Sequence, residues 1–158
     1  MKTIQSICLL TYILFVGCSD QVQSGGGGPH VHTAPHGGEL YELGPHGSGF
    51  NFELFLNETG KLNLYVLDAH AENFVRIKQT QIEILFTDSN RSSLSLEAVE
   101  DSATGEKVGD TSRFQSLGSI HDLLPIQGFL KEISVGSKTY SEQPISFSGN
   151  SKGISDEH

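Results

Sequence analysis

Tryptophan is absent from the 158 residues, methionine occurs once, and cysteine occurs only at positions 8 and 18. Without indoles, the core falls to the phenylalanines and aliphatics, and Phe50, Phe52, Phe55, Phe74, Phe86, Phe114 and Phe129 are expected to supply much of it. Basic residues are also few, ten Lys and Arg against nineteen Asp and Glu, for a formal charge of −9. They are scattered singly, and with no basic patch to follow a phosphate backbone, nucleic acid is excluded as the expected partner. Phosphate loops, dinucleotide fingerprints and H-E-x-x-H are all missing. Gly149-Asn150-Ser151-Lys152-Gly153 spells G-x-S-x-G, but in a polar tail rather than between a strand and a helix, so it reads as chance. Asp88, Asn90 and Ser92 lack the glycine and the twelfth-position Glu of a calcium loop. Asp68 stands near His70 with no nucleophile beside them. The expectation is a protein that binds rather than catalyses.

Only one long apolar run occurs, Ile7–Val16, ten residues after the positive Met1-Lys2 start. A membrane span needs about 20 such residues. Charge, apolar run and a small residue before a cut are the parts of a secretory signal. Leu14-Phe15-Val16-Gly17-Cys18 resembles the lipobox of bacterial lipoproteins, with Phe15 at a place usually held by Leu. That resemblance implies cleavage before Cys18, a diacylglycerol on its thiol, and, from Ser19 rather than Asp next to the lipid, sorting to the outer membrane on its periplasmic side. Residues 1–17 then leave as a signal peptide, Cys8 with them, and no thiol remains to pair. The mature chain carries 9 basic and 19 acidic residues, a charge of −10. Its partner is the membrane, through a lipid anchor.

Residues 18–28 end in four glycines and read as a flexible tether. A domain over residues 29–148 follows, opening on the histidine-rich PHVHTAPHGG, and residues 149–158 read as a disordered tail. Within the domain, Leu40–Leu43, Phe50–Asn57, Leu62–Asp68, Gln81–Thr87, Ser93–Val99, Phe129–Val135 and Lys138–Ser146 read as strands, the second and third as a hairpin around Asn57-Glu58-Thr59-Gly60. Phe74–Ile77 is a possible short strand, and Ser116–Leu124 reads as a short helical connection ending at Pro125. Short strands about ten residues apart, with no strand–helix alternation, predict an all-β fold: a small, monomeric, antiparallel β-sandwich of the Ig-like kind.

Four of the seven histidines, His30, His32, His36 and His46, fall within seventeen residues. Neutral imidazole suits Cu and Zn, and four donors satisfy a four-coordinate site. His30 and His32, two apart, share a side of an extended chain, and the glycines after His36 let the backbone fold close to an ion. The competing reading is a leader that binds metal weakly and incidentally, since no Cys supports the cluster. His70 and His121 read as surface residues, and His158 ends the tail.

The segment from His36 to Ile77 resembles a stretch of uncharacterised exported proteins of planctomycetes and related bacteria. It carries the PHGG opening at Pro35–Gly38, Glu42–Gly44, the Phe50–Leu54 strand, the Asn57–Gly60 turn, Tyr65–Asp68 and Ala71–Ile77. Gly109–Phe114 and Gly136–Tyr140 resemble two further elements of that family, so the likeness spans about residues 36–148. The PHGG opening is also similar to the N-terminal part of periplasmic adaptors of heavy-metal efflux pumps. The resemblance implies a β-rich exported domain linked to metal handling. The histidine- and aspartate-rich tail frequent in the family is here only Ser155–His158. The expected role is an envelope lipoprotein that binds or hands on Cu or Zn through His30, His32, His36 and His46. The alternative is a docking module for efflux or other envelope proteins, with incidental histidines.

Overall fold

The computed structural model describes residues 32–149. Residues 1–31, which include the segment expected to be a signal, Cys18, the run of glycines and His30, and residues 150–158 of the polar tail lie outside the described residues. Eight strands form: β1 (Glu39–Leu43), β2 (Phe50–Leu56), β3 (Leu62–Leu67), β4 (Gln81–Phe86), β5 (Leu94–Ala98), β6 (Arg113–Ser116), β7 (Ile126–Val135) and β8 (Lys138–Phe147). They hydrogen-bond into one antiparallel sheet in the order β1-β2-β3-β6-β5-β4-β7-β8. No helix among the described residues is long and apolar enough to cross a membrane.

Alternation and turn chemistry explain the hairpins. Phe52 and Leu54 of β2 face the interior opposite Val66 and Leu64 of β3, their partners in register. The connecting turn closes because Asn57 Oδ1 accepts the N–H groups of Thr59 and Lys61, both at 3.0 Å, and Gly60 takes a positive φ of 77°. Gly136-Ser137 joins the ten-residue β7 and β8, with Val135 opposite Lys138.

The expected strands form within three residues of their predicted ends, and three local expectations fail. β6 has only four residues, RFQS, too short to show a period, yet it fills the sheet between β3 and β5. The helical connection over 116–124 reduces to one 3₁₀ turn at His121–Leu123, because Ser116 already belongs to β6. Phe74–Ile77 forms only isolated bridges, Leu67 to Phe74 and Ile77 to Thr111. The expected sandwich of two sheets is drawn by the hydrogen bonds as one continuous, nearly closed sheet.

The sheet encloses a core that is mainly aliphatic, including Leu43, Leu54, Leu62, Leu64, Ile82, Ile84, Leu96, Leu130 and Ile133, with Phe52, Phe114 and Phe147 as its large rings. Phe74 and Phe129, expected inside, are 50% and 40% exposed. The first and last strands meet through side chains. The one proton of the Tyr41 hydroxyl is shared between the Ser146 carbonyl at 2.9 Å and Glu39 Oε2 at 3.0 Å. Glu39 Oε1 accepts the backbone N–H and the hydroxyl of Ser148, at 3.0 and 2.9 Å. The Tyr41 ring stacks on Phe52 at 4.9 Å, which fixes the phenol at this seam.

Candidate functional site

The outward positions of β2 and β3 include three polar residues, Asn51, Glu53 and Asn63, and all three are buried. The chain preceding β1 accounts for Glu53. A turn at Ala34-Pro35-His36-Gly37, closed by Gly37 N–H to the Ala34 carbonyl at 3.0 Å, folds it onto β2. The backbone N–H groups of His36 and Gly38 then donate to Glu53 Oε1 at 2.9 and 2.8 Å, and His36 Nδ1 meets Glu53 Oε2 at 2.8 Å. Gly38 is required by this approach, since a Cβ there would stand 2.2 Å from the Leu54 carbonyl oxygen. The two glycines therefore fold the backbone against a carboxylate and a strand. His36 also stacks on Tyr65, with ring centroids 3.9 Å apart.

The other described histidines of the leader and of the β1–β2 loop take a different place. The His32 ring lies 5.3 Å from that of His46 and 5.8 Å from that of His70. Two imidazoles on one tetrahedral ion, each about 2.0–2.1 Å from it, place their centroids roughly 5 Å apart. His46 sits in a loop tightened by the Ser48 and Gly49 N–H groups, both donating to the Pro45 carbonyl. Its Nδ1 is 2.5 Å from Glu42 Oε1 on β1. With Nδ1–H given to a carboxylate, Nε2 keeps its lone pair, the arrangement that orients a metal-bound histidine. The Nε2 of His32 is buried and has no hydrogen-bond partner. A buried polar atom left unpaired costs about 1–3 kcal/mol, so this nitrogen lacks a partner suited to a lone pair or an N–H.

His70 reaches the cluster through Asp68, which follows β3. Asp68 Oδ1 accepts the His70 and Glu72 N–H groups at 3.2 and 2.9 Å, and Oδ2 accepts the Asn73 amide at 2.6 Å. Burial alone would raise the pKa of Asp68, but the Asn73 side chain and the backbone N–H groups of Glu72, Asn73 and His70 outweigh it and hold it below the ordinary carboxylate value. Asn51 Nδ2 braces the same turn by donating to the Asp68 carbonyl at 2.8 Å.

The structure thus brings His32 and His46 together, adds His70, and assigns His36 to Glu53 and Tyr65. Among the described residues, no three His, Cys, Asp or Glu side chains stand with their donor atoms already placed to hold an ion. The His46 side chain is 53% exposed, and His70 is exposed. His70, read from the sequence as a surface residue, is exposed, and tertiary folding brings its turn beside His32. Its one local signal is Asp68-x-His70 at a strand end, where the carboxylate caps the turn.

A second concavity, about 510 Å³, opens beside His36. Tyr65 and Phe74 continue the ring surface, with centroids 5.8 Å apart, and Arg76, Arg113, Asp101 and Glu106 stand among the lining residues. Burial, partly offset by Arg113, raises the pKa of the Tyr65 phenol.

Comparison of the chain with protein-family models, with curated proteins and with solved structures finds no match.

Proposed function

We propose that this chain is an exported lipoprotein, anchored at Cys18 to the periplasmic side of the outer membrane, whose sandwich-like β-domain binds or hands on a transition metal. His32, His46 and His70 are the ligands described here, and His30, outside the described residues, is the sequence's candidate for a fourth. The observation that carries this reading is the unpartnered, buried Nε2 of His32 in contact with two further imidazole rings, one of them oriented by Glu42. Three imidazoles with a place left for water or another imidazole suit Zn²⁺ or Cu²⁺, and the absence of thiolate leaves no preference for a soft ion. The role is coordination without catalysis. Neutral imidazoles take up the ion, and acidification releases it as protons compete for the same lone pairs.

The test is calorimetric titration of the whole chain with Zn²⁺ and Cu²⁺, beside His70→Ala and His36→Ala. One ion bound per chain, weakened at least tenfold by His70→Ala and little changed by His36→Ala, supports the assignment. Equal binding in all three proteins, or loss only with His36→Ala, overturns it.

A further inference from the structure

We propose that the cleft beside His36 is a separate binding site for a neutral saccharide. About 510 Å³ is room for one or two sugar rings. Its apolar part is a set of rings in mutual contact: His36 stacked on Tyr65 at 3.9 Å, and Phe74 tilted against both at 5.7 and 5.8 Å. Phe74 is half exposed, yet its backbone is pinned to β3, with Leu67 bridging to it and Val75 N–H donating to the Val66 carbonyl at 2.9 Å. A large ring left half exposed on a pinned backbone keeps apolar surface in water, and a ligand face laid on it would bury that surface.

The polar part identifies the ligand class. Two arginines and two carboxylates line the cleft, Arg76 and Arg113 against Asp101 and Glu106, so the lining charge is zero. A phosphate or carboxylate ligand would meet the acids, and a cation would meet the arginines. On a chain of charge −9, a polyanion is further disfavoured. The polar groups are also fixed in advance. Arg113 donates twice to Asn63 Oδ1, at 3.2 and 3.1 Å. Arg76 donates to the Thr104 carbonyl at 2.5 Å and to Asp110 at 3.3 Å. Glu106 Oε1 accepts the N–H and hydroxyl of Ser112 at 3.0 and 2.6 Å, which leaves its second oxygen for a ligand. Preorganised donors and acceptors around an aromatic floor suit a molecule with an apolar C–H face and a hydroxyl edge. A wholly apolar ligand would leave those groups unpaired. No residue of the His32–His46–His70 cluster lines this cleft, so the proposal stands apart from the metal reading.

The absence of tryptophan makes tyrosine emission readable, and Tyr65 is the tyrosine that lines the cleft. The whole chain in detergent, free of added metal, is titrated with maltotriose, cellotriose and chitotriose, with glycerol as a polyol that cannot stack. A saturable change with at least one trisaccharide, absent with glycerol, is expected. It should weaken at least tenfold in Phe74→Ala and stay unchanged in His46→Ala. No saturation with any trisaccharide overturns the proposal, as does binding indifferent to Phe74→Ala in a variant whose denaturation midpoint shows it folded. Saturation instead by a proline-rich peptide also overturns it, and assigns the rings to a protein partner.

Discussion

The Nδ1 atom of His36 stands 2.8 Å from a carboxylate oxygen of Glu53, a side chain with no exposed surface. The Nδ1 atom of His46 stands 2.5 Å from Glu42, a side chain half exposed. Both histidines belong to a Pro-His-Gly tripeptide, and both present the same ring nitrogen to a glutamate. Their surroundings give them different work. In the first, the backbone N–H groups of His36 and Gly38 join the same carboxylate, and the motif locks the leader to β2. In the second, the pair is open to water and only orients a ring.

The lock at Glu53 should be costly to break. Glu53→Gln keeps the shape but turns an amide N–H₂ towards N–H donors, and charge-assisted bonds of this kind contribute about 1.5–3 kcal/mol each. A loss of about 2–4 kcal/mol is expected in urea denaturation. Gly38→Ala should destabilise too, because its Cβ meets the Leu54 carbonyl.

Glu42→Gln should leave stability within about 0.5 kcal/mol, since exposed ion pairs contribute little. Metal affinity should nevertheless fall about tenfold or more, because the carboxylate that sets the His46 tautomer is gone. Parallel denaturation and calorimetric titration separate the two effects. Unchanged affinity would remove Glu42 from the site.

Asp68→Ala should weaken metal binding about three- to tenfold, the equivalent of roughly one hydrogen bond in the turn that presents His70. Because hydrogen bonds hold the pKa of Asp68 below the ordinary carboxylate value, its contribution to stability is complete above that value and is lost as pH falls through the depressed one. The acid limb of a denaturation series should therefore flatten in Asp68→Ala.

Tyr41 should show itself at the alkaline end. Burial first, and then the charge of Glu39, raise its pKa well above 10. The folded chain holds this proton more tightly than the unfolded chain, so the contribution is complete below about pH 10 and declines as pH rises beyond it. Phenolate absorbance should develop late for Tyr41 and for Tyr65, and the latest part of the rise should be lost in Tyr41→Phe while the Tyr65 part remains.

The parts of the fold legible in the sequence were those fixed locally. Phe52 and Leu54 opposite Val66 and Leu64, around an Asn-Glu-Thr-Gly turn, announce a hairpin without help from the rest of the chain. β6 did not, because Arg113–Ser116 is a strand only through the β3 and β5 edges on either side of it. Phe74 looked like core by its chemistry, and no periodicity marks it as a surface ring. For the site, the histidine content was visible and the grouping was not. His32 and His46 meet because β1 lies between them, whereas His70 arrives from the far end of the β2–β3 hairpin. Nor does a glutamate at an outward strand position signal that a loop will cover it.

The seam between β1 and β8 has a consequence for how the chain could be re-cut. The hoop is closed by a clasp of side chains, Tyr41 and Glu39 on one side and Ser146 and Ser148 on the other. Because Glu39 and Ser148 meet in this clasp, the start of β1 and the end of β8 stand side by side. A short linker between them and a new opening at the Gly136-Ser137 tip would give a circularly permuted chain with the same hydrogen-bonded neighbours, a rearrangement that β-domains with adjacent ends commonly tolerate.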